Sequence, residues 1–134
     1  MFRIASVAAA AIVLAASLTG CSPSDANCIP SGDASFLLVW TTATVPADNN
    51  DETDGRERDA GLTLNQGSVI RVVDMLPGKE SPMHRTNSID YGIVLEGEIE
   101  LELEDGAKKT VGQGGIIVQR GTNHLWRNTT DKVT

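Results

Sequence analysis

The chain has 134 residues, of which 40% are apolar and 22% are charged, and it contains two cysteines. This length allows one domain of ordinary size, and two cysteines cannot supply a disulfide scaffold or a four-cysteine zinc site. Eleven Lys and Arg residues stand against 18 Asp and Glu residues, which gives a net charge of −7. Because such an acidic surface repels phosphate backbones, we expect no nucleic-acid partner.

The N-terminus has the form of an export signal. Arg3 precedes an apolar run, residues 4–18, which is shorter than the roughly 20 residues of a membrane-spanning helix. The end of the run, Leu18-Thr19-Gly20-Cys21, resembles a bacterial lipobox, in which Cys21 is lipidated. The sequence therefore predicts an exported protein, lipid-anchored to a membrane if bacterial and secreted if eukaryotic. If the gene start is wrongly assigned, the protein is instead cytoplasmic.

We divide the chain into four segments. They are a signal peptide or lipobox segment (1–21), a tether (22–34), an arm with an acidic loop (35–67) and a β-barrel (68–134). If Cys21 is lipidated, Cys28 has no cysteine partner in the chain. If it is not, the two cysteines can close a short disulfide loop in an oxidising compartment.

The residues after the signal predict short strands and no helix. Residues 35–45 are apolar and β-branched, which is typical of a strand or an arm, whereas residues 47–61 are acidic and form an exposed loop. Apolar runs then recur between turns about every 8–12 residues, the spacing of an all-β sandwich or barrel. The runs are residues 69–76, 91–95, 99–104, 108–111, 116–119 and 124–127.

One of these runs carries a row of carboxylates. Residues 99–104 alternate between aliphatic and acidic, so Glu100, Glu102 and Glu104 lie on one face of the strand. Together with Glu98, this row of carboxylates is a candidate cation site. We favour instead a solvated face whose charge discourages pairing at a sheet edge.

The chain has two histidines, His84 and His124. Thr86 lies on the same face of an extended chain as His84, and Asp90 follows a few residues later. Two imidazoles and one carboxylate with open positions are the ligands of non-haem iron oxygenases. Isolated histidines are also common on surfaces and in hydrogen-bonded cores, so the spacing alone leaves both interpretations open.

Around these histidines the sequence resembles the cupin family. The first cupin motif reads Gly, five residues, His, one residue, His, three or four residues, Glu, six residues, Gly. Gly78, His84 and Gly97 fall in register with it. The second motif ends Gly, two residues, His, three residues, Asn. The residues that match it are Gly121, His124 and Asn128.

The string Gln119-Arg120-Gly121-Thr122-x-His124-x-Trp126 resembles more specifically the small cupin-domain proteins of fungal and bacterial secondary-metabolite pathways. Some of these proteins are oxidoreductases that act on polyketide-derived aromatic aldehydes or alcohols, and residues 39–49 resemble their N-terminal arm. The resemblance implies an all-β cupin jelly-roll barrel. The sequence stops soon after Asn128, so we expect the last C-terminal strand of the barrel to be missing.

The resemblance also implies a metal site held by His84, Asp90 and His124. Thr86 replaces the second His of the first motif, and Asp90 replaces its Glu with a shorter side chain. We therefore expect a weak site for a divalent metal, with Fe(II) favoured by the ligand set, that is absent if these departures prevent binding. Tyr91 is expected to pack between sheets. The expected substrate pocket consists of Thr86, Gly92, Val94, Gln119 and Trp126.

The favoured function is a cupin enzyme for small molecules, expected to be an oxidoreductase acting on an aromatic or polyketide-like metabolite. Isomerase or dehydratase chemistry, in which a metal polarises a carbonyl, is also compatible with the site. Two alternatives remain: an exported or lipid-anchored binding protein without turnover, and a truncated, inactive cupin. Small cupins commonly pair through sheet edges, so we expect a homodimer in which residues 35–45 cross to the partner.

Overall fold

The computed structural model describes residues 27–134, and this part of the chain contains eight strands and no helix. The all-β prediction is therefore confirmed. The predicted export signal and the lipidation site at Cys21 lie outside the described residues. Within residues 27–134, no helix long and apolar enough to cross a membrane is found. The strands are β1 (Cys28–Pro30), β2 (Ala34–Thr42), β3 (Ser68–Met75), β4 (Ile89–Ile93), β5 (Glu98–Leu103), β6 (Lys108–Gly112), β7 (Ile116–Arg120) and β8 (His124–Arg127).

The strands form three antiparallel sheets. Their orders are β1-β2-β3, β4-β7 and β6-β5-β8, so the pairs β4–β7 and β5–β8 join strands that are not consecutive in the chain. Such non-consecutive antiparallel pairing is expected for a jelly-roll type barrel. It also explains how two motifs far apart in the sequence come to lie side by side.

The first sheet begins within the segment predicted to be a tether. Ser31 makes the connection, because its Oγ accepts a hydrogen bond from the backbone N–H of Ala34 at 2.9 Å and its own N–H donates to the carbonyl of Ala34 at 2.7 Å. This tight turn brings residues 28–30 antiparallel to β2. The predicted strand at residues 35–45 is β2, which pairs along its length with β3 of the same chain.

A small apolar core lies between the sheets. Its buried members come from four strands and one loop: Ala34, Met75, Val94, Ile99 and Ile117. Each sheet contributes at least one of them, so the three sheets pack around this cluster. Phe36, Leu101, Val111 and Trp126 are partly buried against it.

The carboxylate row of β5 is ion-paired. Arg127 forms salt bridges with Glu80, Glu100 and Glu102, and Lys108 Nζ lies 3.0 Å from a carboxylate oxygen of Glu102. Strand β5 lies between β6 and β8 rather than at an edge. The interpretation of this row as a solvated face that protects an edge is therefore wrong, because cations on the neighbouring strands pair with Glu100 and Glu102. Glu104 instead accepts a hydrogen bond from the side chain of Asn123.

One face of the two-stranded β4–β7 sheet is apolar and exposed. Tyr91 is 76% exposed, so the expectation that it packs between sheets is wrong. No other strand within residues 27–134 covers this face, and only the opposite face of the sheet reaches the core. The exposed apolar residues of the face are Ile89, Tyr91, Ile93, Ile116 and Val118.

Candidate functional site

The two histidines lie directly opposite each other. The backbone N–H of His84 donates to the carbonyl of His124 at 2.9 Å, and the N–H of His124 donates back to the carbonyl of His84 at 2.8 Å. Two residues that exchange both hydrogen bonds in an antiparallel bridge have their side chains on the same face. The ring centroids are accordingly 4.5 Å apart, with the ring planes tilted by 48°.

Each ring is held by a backbone carbonyl two residues earlier in the chain. His84 Nδ1 lies 2.7 Å from the carbonyl oxygen of Pro82, and His124 Nδ1 lies 2.9 Å from that of Thr122. A carbonyl oxygen can only accept, so each Nδ1 carries the proton. In the neutral rings, Nε2 is then the nitrogen with the free lone pair, able to take a proton or to bind a metal.

The carboxylate of Asp90 is held by two hydroxyl groups. Ser88 Oγ donates to Asp90 Oδ1 at 2.8 Å, and Thr86 Oγ1 donates to Asp90 Oδ2 at 3.3 Å. The structure therefore brings Thr86 and Asp90 together in a local cluster. Thr86, which stands where the first cupin motif has its second His, therefore helps to hold the Asp90 carboxylate.

The predicted metal ligands do not assemble as a group of three. In the part of the chain that the structure describes, no group of three or more His, Cys, Asp or Glu side chains is arranged to hold a metal ion. The bridge supplies two imidazole nitrogens, and the oxygens of Asp90 are engaged by Ser88 and Thr86. As placed here, these residues do not fit a metal centre with three protein ligands.

Gln119 lies on the same face of the β4–β7 sheet as Asp90, because the two residues are directly paired across the strands. Its side chain is buried, and its Nε2 donates to Thr122 Oγ1 at 2.6 Å. Thr122 therefore positions two site residues, since its hydroxyl holds Gln119 and its carbonyl holds His124. Sequence reasoning missed Thr122, although it stands two residues before the histidine in the matched string.

The remaining predicted pocket residues belong partly to the core. A Cβ added at Gly92 would meet Ile117 Cβ at 3.8 Å, which is ordinary contact and leaves room on this face. Val94 lies in the core cluster. Trp126 packs against that cluster and meets the His124 ring edge-on, with 5.5 Å between centroids.

A surface cavity of about 560 Å³ opens beside Thr122. Ile89, Arg120 and Gly121 complete its lining. The cavity therefore reaches the residue that holds both Gln119 and His124, but neither histidine lines it.

Residues 27–134 thus form an all-β fold of the jelly-roll type. Residues 71–134 match the cupin domain family. The chain therefore contains a cupin domain, and this part of it belongs to the cupin family.

Named relatives come from fungi. The chain is 48% identical over 99 residues to "Phomopsin biosynthesis cluster protein C'" of Diaporthe leptostromiformis, covering 69% of this chain and 52% of that protein. It is 41% identical over 100 residues to "Cupin-domain-containing oxidoreductase srdD" of Neurospora crassa, covering 72% and 51%. It is 39% identical over 100 residues to "Cupin-domain-containing oxidoreductase virC" of Hypocrea virens, covering 72% and 52%. The chain thus spans about half the length of the curated relatives it matches.

Proposed function

We propose that this chain is the cupin part of an oxidoreductase of secondary metabolism, with an aromatic or polyketide-like small molecule as substrate. The observation that carries the proposal is the His84–His124 bridge, in which both rings are fixed through Nδ1 and share one face. Relatives named as cupin-domain oxidoreductases and as biosynthesis cluster proteins support the class of reaction and the setting.

The chemistry available at the bridge is proton transfer. An imidazole Nε2 with a free lone pair can accept a proton from a substrate hydroxyl, and a fixed ring orientation favours that transfer. Oxidation of an alcohol to an aldehyde removes a proton from the substrate oxygen and a hydride equivalent from its carbon, and a separate two-electron acceptor such as dioxygen must take the hydride equivalent. The bridge would supply that proton step, and the buried amide of Gln119 adds a polar group on the same side of the neighbouring sheet as Asp90.

The test compares the full chain with the variant His84→Gln/His124→Gln. Salicylaldehyde and salicyl alcohol serve as paired aromatic probes, with binding followed by calorimetry and turnover by the aldehyde absorbance in the presence of a redox dye or dioxygen. Asn87→Gln is the control, because Asn87 is an exposed residue near the bridge. Binding and turnover that are lost in the histidine variant and kept in the control support the proposal. Histidine-independent turnover, or no binding by the unaltered chain, contradicts it.

A second candidate is a binding protein without turnover. Cupin domains often bind a metal, but the described residues offer only the two imidazole nitrogens of the bridge, because the Asp90 carboxylate is held by Ser88 and Thr86. A site without a third metal ligand favours ligand binding over metal-dependent turnover. Elemental mass spectrometry of the chain purified without chelator, beside the same double variant, addresses the metal directly. Near-stoichiometric iron, manganese, nickel or zinc that depends on both histidines argues for the enzyme. Histidine-dependent binding of the probes without turnover argues for the binding protein.

A further inference from the structure

The apolar face of the β4–β7 sheet is a continuous strip of large side chains. Directly paired residues of two strands lie on the same face of a sheet. Leu95 extends the strip beyond the end of β4, because Val94 before it points the other way, into the core cluster. The paired residues of the strip are Ile89 with Arg120, Tyr91 with Val118 and Ile93 with Ile116.

This apolar face is large for the surface of a monomer. Each of its six apolar side chains is at least 54% exposed, and Tyr91 reaches 76%. Together they expose roughly 700 Å², which exceeds the ~300–600 Å² of the largest apolar patch on a typical monomer and approaches the ~800 Å² that each partner buries in a standard interface. An apolar surface of this area is sufficient for a specific contact with another protein surface.

The two ends of the apolar face carry opposite charges. Arg120 lies at the end where β4 begins, and Glu96 follows Leu95 at the other end. Both side chains are exposed, and neither forms a salt bridge within residues 27–134. The carboxylate of Asp90 belongs to the opposite face of the sheet. A surface that is apolar along its length and oppositely charged at its ends is complementary to a copy of itself turned end to end.

We propose that the apolar face binds the same face of a second copy of this chain in a two-fold symmetric dimer. Two sheets pack face to face with their strands within about 30° of each other. A two-fold axis between the sheets, perpendicular to the strands and level with Gly92, places the Ile89 end of each copy against the Leu95 end of the other. Arg120 of each copy then lies beside the partner's Glu96, and the contact occurs twice. An axis along the strands would instead bring the two Arg120 side chains together, which is unfavourable.

This interface differs from the one expected for residues 35–45. Strand β2, which contains most of those residues, is hydrogen-bonded on both edges by β1 and β3 of the same chain. The apolar face also lies on the other side of the β4–β7 sheet from Asp90 and Gln119. The dimer is therefore independent of the proposed oxidoreductase site, and failure of one proposal leaves the other open to test.

Sedimentation velocity of the full chain over a range of protein concentrations tests the dimer. Because interfaces of this size support dissociation constants from micromolar downwards, and the contact is small for its class, we expect dimers at about 100 µM protein and separate copies at about 1 µM, where fluorescence titrations are made. A monomer at every concentration overturns the proposal. Residues 4–18 are also apolar, and association through them would not respond to changes in the apolar face.

A matched pair of lysine variants assigns the association to the apolar face. Ile116→Lys places a charge within the face and is expected to weaken dimerisation at least ~10-fold. Leu62→Lys makes a similar change at a 58% exposed position outside the face and should leave dimerisation unchanged. Association that survives Ile116→Lys, or that Leu62→Lys weakens equally, overturns the proposal. Tyr91→Ser repeats the test without adding a charge and decides the matter if Ile116→Lys does not fold.

Charge reversal tests the end-to-end arrangement. Arg120→Glu and Glu96→Arg are each expected to weaken dimerisation at least ~3-fold, because each change brings like charges together twice. The double variant Arg120→Glu/Glu96→Arg restores opposite charges and should dimerise within ~2-fold of the unaltered chain. A double variant as weak as the two single changes combined overturns the arrangement.

Discussion

The side-chain amide of Asn128 donates to the backbone carbonyl of Met75 at 2.9 Å and thereby joins the chain after β8 to the end of β3. The same amide donates to the carbonyl of Lys132 at 2.6 Å, and its oxygen accepts from the backbone N–H of Thr130 at 2.9 Å. Asn128 is fully buried. The last residue of the second cupin motif is thus a structural clamp between two sheets.

Replacement of Asn128 by alanine is expected to destabilise the fold by about 2–4 kcal/mol, because it removes the hydrogen bonds of a fully buried amide. The carbonyl of Met75 keeps the N–H of Thr134 as a donor. Urea unfolding followed by tryptophan fluorescence measures the change. Asn87→Ala, at an exposed position, is the matched control and should change stability by less than about 0.5 kcal/mol. Similar stabilities for the two variants would show that Asn128 does not act as a clamp.

Strand β7 offers a matched pair of adjacent isoleucines. Ile117 is 8% exposed and lies in the core cluster, whereas Ile116 is 70% exposed on the apolar face. Ile117→Ala is expected to cost about 2–4 kcal/mol, because it removes buried methyl groups and leaves a cavity. Ile116→Ala should cost less than about 1 kcal/mol in the same urea titration. A larger loss at Ile116 would mean that this face is covered in solution.

The carbonyl contacts at the bridge fix the neutral tautomer of both rings. Long-range nitrogen–proton NMR of the full chain, above the pH at which the rings are protonated, should show Nδ1–H and a bare Nε2 for His84 and His124. The chain has no other histidine, so each signal is assigned by replacing one residue at a time. An Nε2–H tautomer at either position would contradict the geometry on which the proposed proton transfer depends.

Carboxylates of the acidic loop should make stability fall in acid. The Arg56 guanidinium lowers the pKa of Asp54 from 3.8 to about 2, and a hydrogen bond from the backbone of Thr53 lowers the pKa of Asp51. A carboxyl whose pKa is lower in the folded state stabilises the fold above its unfolded pKa, and that contribution is lost as pH falls towards the folded pKa.

We therefore expect stability to decline between about pH 4 and pH 2, where Asp54 takes up its proton. Asp54→Asn removes this titration and should flatten the decline while lowering stability at pH 6. Thermal unfolding of both proteins across this range makes the comparison. Parallel profiles of stability against pH for the Asp54→Asn variant and the unaltered chain would mean that the Asp54–Arg56 pair contributes nothing, and would contradict the prediction.

The strands could be predicted because their cause is local. Alternating apolar residues and glycine turns are visible in the sequence, and strand β5 begins within one residue of its predicted start. The histidine pair was predicted from the cupin motifs, since two residues forty positions apart carry no local sign that they meet. Only the folded chain shows that they form a backbone bridge.

Other features depend on contacts that the sequence does not display. Tyr91 is exposed because no other strand within residues 27–134 covers its face of the β4–β7 sheet. The alternation of residues along a strand shows that the strand has two faces, but not which of them meets solvent. The carbonyls of Pro82 and Thr122 act through the backbone, so residue type conveys nothing about them. Asp90 was predicted as a metal ligand because it stands at the Glu position of the first cupin motif, and its contacts with the hydroxyl groups of Ser88 and Thr86 appear only in the structure.

The reciprocal hydrogen bonds between His84 and His124 also tie the two rings to one alignment of two chain segments. A slip of either segment by one residue would turn its histidine to the opposite face, because side chains alternate along an extended chain. The two free nitrogens therefore exist as a pair in a single register. Loosening the start of β8 would move the His124 ring away and break its pairing with His84. Any function that needs the pair should therefore be lost all at once rather than in steps.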